Sequence, residues 1–199
     1  MVAFPNPHGS IGYGQEYTNG ISKDWGGKVY DDVLAVTDAL AALPYVDAER
    51  VGAMGWSYGG YFMNWLVGQT DRFKAAASMM GIFDLRSFYA TTEELWFPEW
   101  DLSGTPWDNP SAYDRFSPSN HAKRFKTPML LITGEKDYRI PYTESLAPAR
   151  LSVPSRRALA ADGAVDAAVL RGAPGLVPPV PWRGGQPVQS GEVGSGSGV

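Results

Sequence analysis

The run Gly55-Trp56-Ser57-Tyr58-Gly59 has the pattern G-x-S-x-G, with the apolar stretch Val51-Gly52-Ala53-Met54 before it and Tyr61-Phe62-Met63-Asn64-Trp65-Leu66-Val67 after it. It reads as a strand, a tight turn and a helix. A serine on such a turn is lifted clear of a sheet, and glycines two residues to either side are expected to let the backbone turn without side-chain collisions. The expected product is an exposed hydroxyl nucleophile at Ser57. The bare pattern arises readily by chance, so the flanking strand and helix give it its weight. A serine nucleophile needs a base, and the chain has two histidines, His8 and His121. The first lies in a glycine-punctuated loop and the second in Ser119-Asn120-His121-Ala122-Lys123, and both are expected to be ordinary exposed or loop histidines. The absence of cysteine excludes disulfides, thiolate zinc sites and cysteine nucleophiles, and no metal or cofactor is expected.

The rest of the chain must position that turn. At 199 residues, 44% hydrophobic and 13% aromatic, it holds enough apolar material for one domain of ordinary size. A net charge of -4 gives no electrostatic case for nucleic acid or an anionic membrane as partner. No apolar run reaches the roughly 18 residues that would span a bilayer. The N-terminus lacks the basic start and apolar core of a secretory signal, which leans toward a cytoplasmic chain, although a chain without cysteine suits any compartment.

Val2-Ala3-Phe4, stopped by Pro5 and Pro7, suits the tail of a strand. His8 to Gly14 reads as a loop with several positive-φ glycines, and not as a phosphate-binding turn. From Tyr30 to Leu43, Val33, Val36, Leu40 and Leu43 recur at three- and four-residue steps, the signature of an amphipathic helix ended by Pro44. Phe73 to Ile82 and Pro128 to Thr133 read as buried strands. The aromatic, proline-broken stretch from 83 to 118 reads as an excursion with short helices, its aromatics expected mainly to pack. Alternation of strand and helix predicts an α/β fold, a mostly parallel sheet with helices on both faces.

Several ordered motifs resemble the catalytic domain of the prolyl oligopeptidase family, nearest its acylaminoacyl-peptidase and dipeptidyl-peptidase-like members. They are Asn6-Pro7-His8-Gly9-Ser10-Ile11-Gly12-Tyr13-Gly14, Asp24-Trp25-Gly26-Gly27, Gly55-Trp56-Ser57-Tyr58-Gly59-Gly60, the stretch from Thr91 to Trp100, Ser117-Pro118-Ser119-Asn120, and the stretch from Thr133 to Pro141. The resemblance implies the α/β-hydrolase fold, incomplete here, and a serine peptidase acting on peptide substrates through an acyl-enzyme. It implies Ser57 as nucleophile, Asp137 as the acid that orients a catalytic histidine, and the amide of Tyr58 as one oxyanion donor. It also implies Ile82 and Phe83 near the pocket for the residue before the scissile bond. A carboxylate just past the end of a parallel strand would lie on the sheet edge that displays Ser57, which agrees for Asp137.

The resemblance implies the order serine, acid, histidine, whereas His8 and His121 both precede Asp137. From Leu146 to Val199 the chain has no Ile, Phe, Tyr, Met, Asn, Lys or Thr. Loss of these together points to a frameshift near residue 146, with a deletion as the alternative suggested by Val153-Pro154-Ser155-Arg156. The expected domains are therefore a partial catalytic domain, 1–146, and an atypical tail, 147–199, with Ala158 to Leu170 transiently helical and Gly184 to Val199 disordered. By the resemblance, the histidine-glycine-glycine loop, the β-propeller and the strand between the first strand and the Val51 strand are expected to be missing from these 199 residues. One of those two strands is then expected to be orphaned or to slip sideways. Peptidase ancestry with impaired hydrolysis is the leading expectation, with an esterase-like hydrolase and a non-catalytic remnant or binding module as alternatives.

Overall fold

The computed structural model describes residues 1–151 and 166–169. Its elements run α1 (Gln15–Asn19), α2 (Lys28–Ala41), β1 (Gly52–Trp56), α3 (Tyr58–Gln69), β2 (Ala75–Met79), α4 (Leu85–Thr91), α5 (Trp96–Asp101), α6 (Pro110–Phe116), a 3₁₀ helix (Pro118–Arg124), β3 (Met129–Thr133), α7 (Thr143–Leu151) and β4 (Asp166–Val169). The sheet order is β1-β2-β3-β4. The first three strands pair in parallel and β4 closes the far side antiparallel.

Register sorts the side chains into two faces, because alternate residues of a strand point opposite ways. Ala53, Ala76 and Met129 stand side by side, as do Gly55, Ser78 and Leu131. This face carries the core: Ala76, Ser78, Met129 and Leu131 are buried, and the Ser78 hydroxyl donates to the Gly60 carbonyl of α3 at 2.9 Å. All residues of α3 from Gly60 to Gly68 are buried, so this helix is the centre of the molecule. The 3₁₀ helix lies along α3, and α7 touches both it and β3. The other face presents Met54 and Trp56, 67% and 68% exposed, beside the half-buried Met79, Leu130 and Ile132. The expected incompleteness of the fold takes this form among the described residues.

Val2-Ala3-Phe4 is not a strand. It is exposed backbone, with Phe4 88% accessible. The prolines on its C-terminal side offer no ladder donor, and among the described residues no strand pairs with it. Of the two candidates for an orphan, the N-terminal segment is the one, and β1 becomes the outer strand. The loop from His8 holds Gly9, Gly12 and Gly14 at φ 99°, 94° and 91°, the conformations expected of its glycines.

Helix α2 starts at Lys28, two residues earlier than periodicity suggests, because the Asp24 carboxylate accepts the Lys28 amide. In the excursion, Phe88, Tyr89, Tyr113 and Phe116 are buried as expected, whereas Trp96, Trp100 and Trp107 stand exposed. Helix α7 runs through the expected boundary at 146 to Leu151. The helix expected over Ala158–Leu170 falls mostly outside the described residues, and the part described, Asp166–Val169, is a strand. The tail from Gly184 to Val199 lies outside them entirely.

Candidate active site

Ser57 occupies the one-residue turn between β1 and α3 at φ 58° and ψ -117°. A non-glycine residue holds this region only where its surroundings over-determine it. Here the Ser57 amide donates to the Met79 carbonyl at 2.9 Å, and the Ser57 carbonyl accepts the Tyr61 amide at 2.9 Å as α3 begins. The turn also needs glycine, though not quite as the spacing suggests. A side chain at Gly55 would collide with the Gly59 carbonyl, as expected, but one at Gly59 would meet nothing. Gly60 carries the second close approach, since a β-carbon there would strike the Met79 carbonyl and come within 2.9 Å of Gly81 Cα.

Tyr58 is the first residue of α3, so its amide is among the N–H groups a helix leaves unused at its start, at the positive end of the helix dipole. Its side chain turns inward, the hydroxyl donating to the Trp25 carbonyl at 2.6 Å, and burial pushes the phenol well above its ordinary pKa.

Asp137 lies in the turn after β3, within hydrogen-bonding reach of its own loop. Its Oδ1 accepts the amides of Arg139 at 3.1 Å and Ile140 at 2.9 Å, while Oδ2 has no partner among the described residues. Ser57 and Asp137 line one open cavity of about 410 Å³ with Trp56, Met80, Glu93 and Lys136. Arg139 also borders it, its guanidinium paired with Glu94 at 2.5 Å.

A second cavity, about 230 Å³, opens beside Ser57 with walls from Ile21, Trp25, Tyr58, Ile82, Phe97 and Ile140. Asp101 borders it too, and burial raises its carboxyl above the usual range. Ile82 lines this cavity. Phe83 is 1% exposed, borders neither cavity, and belongs to the core beneath. Sequence reasoning missed Trp25, Phe97 and Asp101 as pocket walls, since each arrives from a different element.

Neither histidine lines a cavity with Ser57. The His8 ring stacks on Tyr17 with centroids 4.3 Å apart, and its Nδ1 lies 2.6 Å from Asp32 Oδ2. His8 is therefore a tethered, half-buried loop residue. His121 packs edge-on against Trp65 at 5.0 Å, and burial, followed by the charge of Arg124, lowers its pKa.

The family model described as the prolyl oligopeptidase family matches residues 1–152. The chain belongs to the prolyl oligopeptidase family. It is 41% identical over 179 residues to dipeptidyl-peptidase 5 of Porphyromonas gingivalis, covering 87% of this chain and 24% of that protein. It is 43% identical over 145 residues to dipeptidyl-peptidase 5 of Schizosaccharomyces pombe, covering 71% and 21%. Among solved structures, Pyrococcus horikoshii acylaminoacyl peptidase superposes with a TM-score of 0.69 at 36% identity, over 73% of this chain and 24% of that one. A Mycobacterium tuberculosis puromycin-hydrolyzing peptidase superposes at 0.67 and 35%, over 72% and 22%. The fold is that of the α/β-hydrolase peptidases. The chain spans about a quarter of the length of these relatives. The Porphyromonas match covers more of the chain than residues 1–152 supply, so it reaches into the compositionally atypical stretch.

Proposed function

We propose that this chain carries the nucleophile and acid of a serine peptidase site that cleaves peptide bonds through an acyl-enzyme. Ser57 is the nucleophile, the Tyr58 amide stabilises the oxyanion, and Asp137 orients the imidazole that takes the Ser57 proton. The apolar cavity bounded by Ile82 receives the side chain on the acyl side of the scissile bond. One observation carries the reading: the strained turn that displays Ser57 borders the same cavity as Asp137, whose Oδ2 has no partner among the described residues.

The 199 residues offer two histidines, one tied to Asp32 and the other packed on Trp65, and neither serves as base. Hydrolysis by this chain alone is therefore impaired by several orders of magnitude. The test is turnover of chromogenic aminoacyl and dipeptidyl amides, together with fluorophosphonate labelling, on the wild type and S57A. Slow labelling confined to Ser57 with negligible turnover is expected. Robust Ser57-dependent turnover would overturn the impairment, and a folded, monodisperse protein unlabelled at Ser57 would identify a non-catalytic remnant.

A further inference from the structure

The Val51 carbonyl accepts the Lys74 amide at 2.8 Å, and the Ser57 amide donates to the Met79 carbonyl at 2.9 Å. The odd-numbered residues from Val51 to Ser57 therefore turn their backbone groups toward β2, and the alternation of a strand turns those of Gly52, Met54 and Trp56 outward. No strand among the described residues takes them up. Such an edge is a template for another strand, and proteins usually guard it with a lysine, a proline or a bulge. Val51 to Trp56 contains no charge and no proline, and its register with β2 runs without a bulge.

The same three residues are complementary to themselves. On the exposed face they read glycine, methionine, tryptophan, with Met54 67% and Trp56 68% exposed. An antiparallel two-fold centred on Met54 uses all three: Gly52 faces Trp56 of the second copy, Met54 faces Met54, and Trp56 faces Gly52. Each pair exchanges two hydrogen bonds. Each indole lies over a glycine, which leaves room for it, and within diagonal reach of a methionine sulfur. The ends match in charge. Arg50, its side chain 81% exposed, comes to the end of the second copy's strand where Glu93 and Asp137 outnumber Lys136 along the Ser57 cavity, Arg139 there being paired with Glu94.

We propose that two copies of this chain pair through β1, antiparallel about a two-fold axis at Met54, so that one sheet continues into the other. The contact is isologous and closes on itself, so association stops at the dimer. The two methionines and two tryptophans cover roughly 600 Å², about half of what the smallest stable interfaces bury, so the dimer is weak and reversible, with a dissociation constant on the order of 100 µM. Because Trp56 also lines the cavity at Ser57, the second copy's strand reaches the margin of the candidate active site.

The test is sedimentation velocity of the full 199-residue chain from about 5 to about 500 µM, a range that brackets that constant. The wild type should pass from monomer to dimer with no larger species. M54K and M54E each set like charges directly opposite and should stay monomeric throughout, whereas their equal mixture should dimerise, because a lysine then faces a glutamate. Met54 is exposed, so the melting curves of both should match the wild type. The chain has no cysteine, so M54C carries a single thiol, and facing Cα atoms about 5.5 Å apart in such a pair suit a disulfide. Mild oxidation should cross-link M54C and leave I11C, at a position 83% exposed elsewhere on the surface, uncross-linked. A wild type that is monomeric at every concentration overturns the proposal, as do growth beyond the dimer, association of M54K and M54E equal to that of the wild type, and equal cross-linking of M54C and I11C. Amide protection at Gly52, Met54 and Trp56 that is the same at both ends of the concentration range would show the edge filled by the chain's own residues, and overturns it too.

Discussion

The Glu144 carboxylate of α7 accepts the backbone amide of Phe83 at 2.9 Å, and the same oxygen accepts that of Asp84 at 2.9 Å. Glu144 is 1% exposed. The bond ties the helix that follows the Asp137 loop to the loop that brings Ile82 to the apolar cavity. That loop is otherwise pinned by Asn64, whose side-chain amide donates to the Ile82 carbonyl, and by the Ser117 hydroxyl, which accepts the Leu85 amide.

Removing the carboxylate leaves the buried Phe83 amide and the partly buried Asp84 amide without this acceptor. E144A should therefore lose about 3 kcal/mol of stability in urea unfolding. E144Q retains an acceptor oxygen and should lose less than half of that. Equal losses for the two variants would show that volume, not hydrogen bonding, governs the position.

Burial raises the pKa of Glu144 despite the two amides that favour its charged form, with the Asp84 charge adding to the rise. A carboxyl whose folded pKa lies above its unfolded value contributes most below the unfolded value and loses that contribution as pH rises through the folded one. Wild-type stability relative to E144Q should accordingly fall as pH is raised from below the ordinary glutamate range to neutrality. Paired melts across that window measure the difference.

His121 shifts in the opposite direction, so its contribution is present above about pH 6.5, the ordinary histidine value, and is lost as pH falls through the lowered folded pKa. The edge-on contact with Trp65 makes indole fluorescence the natural reporter. H121Q should flatten the acid-side slope of the melting temperature, and an unchanged slope would exclude His121 as its source.

The two glycines after Tyr58 should respond oppositely to alanine. G60A forces a methyl against the Met79 carbonyl and Gly81, costing about 3 kcal/mol and disturbing the turn. G59A meets open space within a helix and should be neutral or stabilising by up to about 1 kcal/mol. Urea midpoints of the two variants check both.

These contrasts show what could be read from the chain before folding. The strand, turn and helix around Ser57 were legible because their signals fall within one contiguous stretch, Gly52 to Gln69. That Gly60 rather than Gly59 bears the steric demand was not, because the obstructing carbonyl belongs to Met79 on the neighbouring strand. Val2-Ala3-Phe4 had strand composition but no strand to join among the described residues, and propensity without a partner does not make a sheet. Phe83 had the right place along the chain but points into the core. Glu144 was invisible as a fastening, since the amides it holds lie about sixty residues upstream.

Because β1 is the outermost strand of the described sheet, its backbone is bonded along one flank only, to β2. Local opening therefore begins at the rail that ends in Ser57, and the hydroxyl is only as steady as that single seam. Amide exchange at Ala53 to Trp56 should outpace that at Leu130 to Ile132, which sits between two neighbours. A strand added along the bare flank would slow that exchange and steady the reacting oxygen without touching it.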